Sequence, residues 1–357
     1  MPDLCSLRVN TAGDGVEIID QTLLPHQLQW LALDTLDSYC HAIAHMQVRG
    51  APLIGVTAGF GLACALASDS SDGHFKEAKE QLLATRPTAV NLQWALQEVE
   101  NCILPLDENL RAEAGFACAQ ALRDDDIANC SAIGEHGLVL LNTLFAANNR
   151  DCLNVMTHCN AGWLATIEWG TALAPIYKAH AAGIPIHVWV SETRPRNQGT
   201  YLTAWELRRA GISCTIVADN SCGHLLQQGE VDCVIIGSDR TAANGDVCNK
   251  IGSYLKALAA RANNVPFYTA LPVSTIDWSC PSGAEIPVEV RGSEELLSIT
   301  GMDETDEYKA VRLAGAGSTG HNPAFDITPA MLVSGLITEH GIIEASGEAL
   351  ARLYSQL

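Results

Sequence analysis

The stretch that decides the fold is Gly237–Tyr254, which reads GSDRTAANGDVCNKIGSY. The apolar run Val231–Gly237 leads into it, and the helical pattern Lys250–Leu255 leads out of it. Polar and charged residues follow the end of the predicted buried strand: Asp239, Arg240, Asn244, Asp246, Asn249 and Lys250. Ligands bind at this edge of an open α/β sheet, so the stretch predicts a binding site. The alternative is a solvated strand-to-helix loop with an Asn-Gly turn.

The same alternation of strand, loop and helix recurs from about residue 150 onward. Predicted strands are Asn154–His158, Ile186–Val190, Cys214–Val217, Val231–Ile236 and Pro266–Ala270. Predicted helices after the first two strands are Leu164–His180 and Tyr201–Arg209. This alternation predicts a Rossmann-like, doubly wound parallel sheet. Neither the G-x-G-x-x-G fingerprint after the first strand nor a G-x-x-x-x-G-K-[ST] loop is present, so no nucleotide cofactor is inferred.

The end of the chain is expected to complete this domain. Ser282–Gly320 is rich in Glu, Gly and Ser and is predicted to return over the sheet as an irregular connection. Asn322–Pro329 is predicted to open a helix that Asp326 or Thr328 caps. We therefore assign residues 146–357 to the Rossmann-like domain and residues 1–145 to a smaller N-terminal domain.

The N-terminal domain is predicted to be mainly helical with a short β-hairpin. Leu7–Asp20 alternates apolar and polar residues around the turn Ala12-Gly13-Asp14-Gly15, and Gln27–Met46 has helical periodicity. Two arginines stand just before predicted helices, in Arg49-Gly50-Ala51-Pro52 before Leu53–Ser68 and in Arg86–Asn91 before Leu92–Ile103. Helix N-termini bind anions, so each motif is a candidate anion site; an ordinary loop is the alternative.

Composition excludes several classes of function. The chain has 357 residues, 48% of them hydrophobic, and a net charge of −20, which argues against nucleic acid or an anionic membrane as a partner. The longest uncharged apolar stretch, Leu53–Ala67, is too short to span a bilayer and predicts a buried helix. Thirteen scattered cysteines without a C-x-x-C pair, and no signal peptide at Met1–Cys5, predict free thiols in the cytoplasm.

The predicted strand ends bring different chemical groups to one edge. They carry the thiol of Cys159, the loop with Arg194, Arg196 and Gln198, and Asp239 with Lys250. Such a set could hold a phosphate and a polyol, as in a sugar phosphate. Cys159 could equally be a small buried residue, and Asp239 could form an ion pair with Arg240, which would lower its pKa. Asp239 can donate a proton at neutral pH only if it is desolvated and Arg240 points elsewhere.

Several blocks of sequence resemble the methylthioribose-1-phosphate isomerase family. This family lies within a wider group that includes ribose-1,5-bisphosphate isomerases and regulatory subunits of a translation-initiation exchange factor. The matching blocks run through the whole chain in order: Val48–Gly55, Arg86–Leu92, Thr157–Asn160, Glu192–Pro195, Gln198–Gly199, Leu202–Leu207, Asp239–Gly252 and Asn322–Pro329.

The resemblance implies an aldose–ketose isomerase of methionine salvage, part of amino-acid biosynthesis, that converts 5-methylthioribose 1-phosphate into 5-methylthioribulose 1-phosphate. It implies that Asp239 and Cys159 are catalytic, Asp239 as the proton donor. It also implies a homodimer, with no metal and no other cofactor. The substrate-binding residues that it implies are Arg49, Gly50, Ala51, Arg86, Gln198, Asn249 and Lys250.

Three alternatives stay open at this point. Ala161, Ser238 and Cys248 depart from the family pattern close to the reacting groups, so 5-deoxyribose 1-phosphate could be the substrate. Arg194 and Arg196 could hold a second phosphate, as in ribose 1,5-bisphosphate. A non-catalytic regulatory homologue would use the same fold, but we expect such a protein to lack the acid and the thiol.

Overall fold

A computed structural model of the chain describes residues 5–11, 13, 15–86, 90–147 and 150–357. It is a mixed α/β structure in which a helical N-terminal part precedes a parallel sheet, which confirms the predicted fold class.

The N-terminal part begins with three antiparallel strands, β1 (Leu7–Val9), β2 (Val16–Ile19) and β3 (Trp30–Leu33). The first two form the predicted hairpin, and Leu7 lies opposite Ile18. Two residues of its predicted turn, Ala12 and Asp14, lie outside the described residues.

The helix predicted over Gln27–Met46 is wrong in its first half, because this part of the chain pairs with β2 as β3. The helix begins only after Thr35, whose hydroxyl accepts a hydrogen bond from the Ser38 amide while the Ser38 hydroxyl caps the Thr35 amide. This capping box satisfies the first free amides and fixes the start of the helix.

The described residues of this part then form five helices: α1 (Leu36–Ala44), α2 (Ala51–Ser68), α3 (Asp72–Thr85), α4 (Val90–Ile103) and α5 (Glu108–Ala147). Helix α2 is the predicted buried helix, and it packs against all four others. Both α2 and α5 have the length and apolar content of a membrane span, but so do core helices, and 78% of α2 is buried inside the protein.

The second part contains the remaining strands and helices. The strands are β4 (Leu153–Thr157), β5 (Ile186–Ser191), β6 (Ser213–Val217), β7 (Cys233–Ile236), β8 (Arg240–Ala242), β9 (Val247–Lys250), β10 (Phe267–Ala270), β11 (Ile276–Asp277), β12 (Val290–Arg291), β13 (Ser298–Met302), β14 (Tyr308–Arg312), β15 (Asn322–Pro323), β16 (Phe325–Thr328), β17 (Gly335–Thr338) and β18 (Gly341–Ile343). The helices are α6 (Ala174–Ala181), α7 (Ala204–Arg209), α8 (Ser221–Gln227), α9 (Ser253–Ala262), α10 (Glu294–Leu297) and α11 (Gly347–Tyr354).

The main sheet has the strand order β18-β17-β10-β7-β4-β5-β6, and all neighbours are parallel except β17 and β18. Side chains of β4 alternate between two hydrophobic cores: Val155 packs in the core that contains part of α5, and Met156 packs in the core that contains α8 and α11. Helices therefore cover both faces, as a doubly wound sheet requires.

Two predicted helices of this part are shorter than expected. Leu164–His180 contains a 3₁₀ turn at Trp163–Ala165, and the helix proper, α6, starts only at Ala174. Trp169 and Gly170 between them have positive φ angles, which a continuous helix does not allow. Tyr201–Arg209 begins within a π-helical turn, Gly199–Thr203, before it becomes α7.

The chain between β7 and α9 forms two extra strands, β8 and β9, which pair with each other. The predicted helix at Lys250–Leu255 therefore starts later, at Ser253, after Gly252 with a φ of 101°.

The helix predicted at Asn322–Pro329 is wrong, because these residues form β15 and β16, and β16 pairs with β9. Asp326 does cap a helix, but that helix is α9: its carboxylate accepts from the amides of Gly252 at 2.7 Å and Tyr254 at 3.1 Å. The segment predicted as irregular, Ser282–Gly320, contains short strands, α10 and the antiparallel pair β13–β14.

Candidate functional site

The candidate site lies at the point in the main sheet where the strand order reverses. Strands β5 and β6 extend the sheet on one side of β4, and β7, β10 and β17 extend it on the other. The loops that follow two such neighbouring strands run to opposite sides of the sheet, so a crevice opens between them. Cys159 follows β4 and Asp239 follows β7, so both stand at this crevice.

One cavity at the crevice is lined by both parts of the chain, and all the catalytic and substrate-binding residues that the resemblance implies lie around it. They are Arg49, Gly50, Ala51, Arg86, Cys159, Gln198, Asp239, Asn249 and Lys250. The remaining wall is largely small or apolar and includes Met46, Ile54, Ala161, Ala165, Pro272, Ile286 and Phe325.

Cys159 has an unusual backbone conformation, with a φ of 62°. Two threonine hydroxyls hold it there: Thr193 accepts from the Cys159 amide at 2.8 Å, and Thr203 donates to the Cys159 carbonyl at 2.7 Å. The thiol donates to the Gln198 side-chain oxygen at 2.7 Å. Burial raises the pKa of Cys159 despite the nearby cations, so the thiol keeps its proton.

Asp239 does not form the ion pair with Arg240 that the sequence left open. Arg240 lies in β8 and its guanidinium binds the Asp277 carboxylate instead. Burial raises the pKa of Asp239, although Lys250, Arg49 and Arg86 oppose the shift. The raised pKa favours the protonated form of the carboxyl group, which is the form that can donate a proton.

Two other polar residues of the opening stretch turn away from the cavity. Asp246 accepts from the backbone amides of Gly283 at 3.0 Å and Ala330 at 2.9 Å, and Asn244 donates to it at 2.8 Å. These two residues stabilise the loop, whereas Asn249 and Lys250 at the end of β9 line the cavity.

Four cationic side chains line the cavity. Arg240 is bound to Asp277, and the other three cations are Arg49, Arg86 and Lys250. Arg49 donates to the side-chain oxygen of Asn160 at 2.5 Å and to its carbonyl at 2.7 Å. Among the described residues, the buried Nε and Nη1 atoms of Arg86 have no hydrogen-bond partner. Lys250 lies 4.4 Å from the Phe325 ring centroid, and burial lowers its pKa. In a chain of net charge −20, this local excess of positive charge suits an anionic ligand.

The start of α2 adds backbone amides to this positive region. Gly50 is the N-cap with a φ of 86°, and Ala51 and Pro52 are the first residues of the helix. A Cβ at Gly50 would lie 2.3 Å from the Ala165 carbonyl oxygen, so only glycine fits. The second predicted anion site includes Pro87, Thr88 and Ala89, which lie outside the described residues.

Arg194 and Arg196 do not line the cavity that holds Cys159 and Asp239. Arg194 donates to the carbonyls of Pro195 at 2.6 Å and Leu296 at 2.9 Å, and Arg196 forms a 2.7 Å salt bridge with Glu295. Both arginines therefore tie the loop after β5 to α10, and neither lines the cavity beside Cys159 and Asp239.

Sequence reasoning did not select four residues that support the site: Thr193, Thr203, Glu206 and Glu289. Thr193, Thr203 and Glu206 fall within matching blocks, but nothing in the pattern says that they face Asn160 or the Cys159 backbone. Glu289 lies in the segment predicted as irregular, and its charge acts on both Arg86 and Asp239.

In the part of the chain that the structure describes, no three His, Cys, Asp or Glu side chains come together as a metal site would require. The expected independence from metals and other cofactors remains a prediction from the resemblance.

Comparison with known proteins finds close similarity along the chain. Residues 47–345 match the Initiation factor 2 subunit family. The chain is 54% identical to methylthioribose-1-phosphate isomerase of Dechloromonas aromatica, over 98% of this chain and 96% of that protein. It is 55% identical to the protein of the same name from Methylobacterium nodulans, over 96% and 94% of the two chains.

Similar solved structures include an isomerase and a translation factor. The crystal structure of 5-methylthioribose 1-phosphate isomerase from Pyrococcus horikoshii superposes with a TM-score of 0.85 and 34% identity, over 99% of this chain and 96% of that one. The translation initiation factor eIF-2B subunit delta from A. fulgidus gives a TM-score of 0.80, also at 34% identity, over 99% of this chain and all of that one.

Proposed function

The chain belongs to the Initiation factor 2 subunit family, and from that premise we propose that it is an aldose–ketose isomerase of 5-methylthioribose 1-phosphate. The product is 5-methylthioribulose 1-phosphate, and the reaction serves methionine salvage. The two relatives named methylthioribose-1-phosphate isomerase are more than half identical to this chain over nearly its whole length.

The observation that carries the proposal is the content of a single cavity. A carboxyl group with a raised pKa, a protonated thiol and four cationic side chains surround the same space. The cations suit a phosphate, the carboxyl group suits proton donation, and the largely apolar remainder suits a methylthio substituent.

We assign the phosphate to Arg86, Lys250 and the start of α2. The buried guanidinium atoms of Arg86 that lack a partner among the described residues support this assignment, because a buried donor gains most from an anionic acceptor. Gly50 and Ala51 present backbone amides at a helix N-terminus, which also favours an anion. Phosphate held here fixes C1 and C2 of the sugar beside the catalytic groups.

Asp239 is the proposed acid. The anomeric oxygen of an aldose 1-phosphate is blocked, so the ring opens only if the ring oxygen is protonated as its bond to C1 breaks. Protonated Asp239 supplies that proton. The hydrogen on C2 then moves to C1, the C2 hydroxyl loses its proton to the Asp239 carboxylate, and C2 becomes the ketone carbon. Atoms and charge balance without an external oxidant or reductant.

The contacts of Cys159 bear on how this hydrogen moves. A thiolate could remove it as a proton, but here the thiol is protonated and donates to Gln198. This arrangement supports a direct hydride shift from C2 to C1, with Cys159 as a polar wall that excludes water. Asn249 and Gln198 lie where they can bind sugar hydroxyls.

The regulatory alternative gains less support. The eIF-2B delta structure shows that the fold is shared with a translation factor, but this chain retains both the acid and the thiol in one cavity. The bisphosphate alternative loses its candidate second site, because Arg194 and Arg196 are engaged elsewhere.

A phosphorus and proton NMR assay tests the proposal. Purified protein is incubated with 5-methylthioribose 1-phosphate without added metal or nucleotide, and we expect conversion to the 1-phosphorylated ketose. Asp239→Asn should bind the substrate but lose at least about 100-fold in turnover, because the amide cannot donate the required proton. Folded wild-type protein that leaves the substrate unchanged contradicts the function, and full turnover by Asp239→Asn contradicts the assigned acid.

We also propose that the protein is a cytoplasmic homodimer. All thirteen cysteines are free thiols, which suits a reducing compartment. Exposed apolar side chains at Leu255, Leu258 and Met331 lie on adjacent elements and suit contact with a second copy. Light scattering of the full chain should give twice its 38.1 kDa mass, and cell fractionation should recover it with cytoplasmic proteins; a monomer or a membrane-bound fraction contradicts the respective part.

A further inference from the structure

Glu206 is a fully buried carboxylate that the proposed reaction does not use. It lies on α7, and four donors converge on it: the Asn160 side chain at 2.6 Å, the amides of Trp163 at 2.9 Å and Leu164 at 3.3 Å, and the Tyr177 hydroxyl at 2.7 Å. Burial raises its pKa to about 7, while these four hydrogen bonds favour the ionised form. Burying a carboxylate costs free energy, so we expect its hydrogen bonds to serve the structure or the function of the protein.

The surrounding chain is built closely around this carboxylate. A Cβ on Gly162 would lie 2.0 Å from a Glu206 oxygen, so the 3₁₀ turn after Gly162 can approach only because the residue is glycine. Thr203, one helical turn before Glu206, also accepts from the Asn160 side chain, at 3.1 Å. The site of Glu206 is therefore specified by several elements at once.

Glu206 fixes which way the Asn160 amide points. An ionised carboxylate only accepts hydrogen bonds, so the NH₂ group of Asn160 must face Glu206 and its oxygen must face the other way. That oxygen meets Arg49, whose guanidinium only donates. Both neighbours thus demand the same orientation, and the negative charge of Glu206 is relayed through one amide to the positive charge of Arg49.

Arg49 is one of the four cationic side chains of the cavity, and its two hydrogen bonds to Asn160 leave three N–H donors for a ligand. We propose that Glu206 is a positioning residue that holds Arg49 in its substrate-binding orientation through Asn160. This role rests on the proposed function, because the ligand of Arg49 is taken to be the sugar phosphate.

Glu206→Gln tests the role at nearly constant volume. If the new NH₂ group takes the position of Oε1, it opposes the Asn160 NH₂ group or forces that amide to turn, which points N–H atoms at Arg49. If it takes the position of Oε2, it opposes the Trp163 amide instead. In both orientations Asn160 no longer has a charged acceptor. We expect KM for 5-methylthioribose 1-phosphate to rise about 10-fold to 100-fold, since a hydrogen bond to a charged group is lost. We expect kcat to change less than about 3-fold, because Asp239 and Cys159 keep their places.

The double variant Glu206→Gln with Asn160→Asp moves the negative charge by one residue. The introduced carboxylate then accepts from both the introduced glutamine amide and Arg49, so KM should return to within about 3-fold of the wild-type value. Tyr177→Phe is the matched control: it removes another donor to Glu206 but leaves the Asn160–Arg49 contact, so the melting temperature should fall without a change in KM. If Glu206 were merely structural, the Asn160→Asp change would not restore KM in the double variant.

Calorimetric titration with the same substrate in the Asp239→Asn background separates this inference from the proposed function. If wild-type protein binds the substrate without turnover, the function fails, yet weaker binding by Glu206→Gln still supports the positioning role. If Glu206→Gln binds as tightly as its Glu206 parent, the role is refuted while the function stands. If Glu206→Gln does not fold, the folded double variant decides: near-parental affinity supports the role, and affinity as weak as that of Asn160→Ala overturns it.

Discussion

Burial and neighbouring charges have opposing effects on the pKa of Asp239. Burial raises its pKa most, three cations oppose that shift, and the carboxylate of Glu289 adds to it. Glu289 also has one buried oxygen without a hydrogen-bond partner among the described residues, while its other oxygen accepts from Arg291 at 3.0 Å. Glu289 is therefore a second acidic group whose charge helps to keep the proton on Asp239.

Glu289→Gln should shift the alkaline side of the pH profile of kcat to lower pH. The acid must be protonated, so activity falls as pH rises through its pKa, and loss of the negative charge at Glu289 lowers that pKa. The measurement is kcat against pH from about 5 to 10. Glu285→Gln is the control, because Glu285 is an exposed carboxylate on the same segment; a profile of Glu289→Gln that is unmoved, or moved to higher pH, refutes the coupling.

The site residues that sequence could predict are those whose position follows from one element. Cys159 and Asp239 each follow a predicted strand, and Arg49 precedes a predicted helix, so local pattern was sufficient to place each at the end of an element. The sequence did not predict that β4 and β7 are neighbours. The orientation of Arg240 was not predictable, since its partner Asp277 is 37 residues away. Glu206 and Glu289 reach the site only through tertiary packing, which no local spacing encodes.

The start of α2 shows how an element contributes to the site through its backbone. Gly50→Ala should weaken substrate binding and lower stability, because its φ is 86° and a Cβ would lie 2.3 Å from a carbonyl oxygen of Ala165. The strained φ alone costs about 1–3 kcal/mol. Urea unfolding and KM measurements should show both losses.

Gly73→Ala provides the comparison for that variant. Gly73 lies in α3, a Cβ there meets nothing within 4 Å, and alanine favours a helix by up to about 1 kcal/mol. It should keep KM and equal or exceed the wild-type stability. A Gly50→Ala protein with wild-type KM would show that the backbone at this helix start does not position the ligand.

Elements were predictable where one hydrophobic pattern dominated. The five predicted strands of the parallel sheet all exist with ends within two residues of the prediction. Four of them are largely buried, and buried parallel strands are apolar runs; the fifth, β6, lies at the edge of the sheet and is mostly exposed. Asn322–Pro329 was misassigned because its apolar and capping residues resemble a helix start. The partner that makes it a strand, β9, is distant in sequence. The helix prediction was wrong at Trp30–Leu33 for the same reason, because pairing with β2 outweighed the helical periodicity of this stretch.

At the scale of the whole molecule, buried polar contacts join the two parts of the chain. Arg49 reaches Asn160, and Asp126 on α5 accepts from the Ile167 amide at 2.8 Å, in the segment beside the cavity. Burial raises the pKa of Asp126 to about 7 from the ordinary 3.8. Asp126 thus joins the long helix to the catalytic half, although its charge is unfavourable above neutral pH.

Asp126→Asn should therefore become more stable relative to the wild type as pH rises. A carboxyl group whose pKa is higher in the folded state stabilises the fold while it is protonated, and this contribution is lost between pH 3.8 and about 7. At about 1.4 kcal/mol per pH unit, the loss is at most about 4 kcal/mol. The asparagine oxygen can still accept from Ile167.

The measurement is the unfolding free energy of both proteins in urea at pH 4 to 9. The difference between them should grow up to about pH 7 and stay constant above it, since the carboxyl group is then ionised in both the folded and the unfolded state. A difference that does not change with pH would show that Asp126 is ionised in the folded state throughout. General effects of the large negative charge cancel in the comparison.

The confinement of four cationic side chains to one cavity, in a chain of net charge −20, has a kinetic consequence. At low ionic strength the acidic exterior slows the approach of a dianionic ligand. Added salt screens charges separated by more than about 10 Å at 0.1 M but weakens attraction at contact much less. Moderate salt should thus speed association, in contrast to proteins whose basic exteriors draw anions inward.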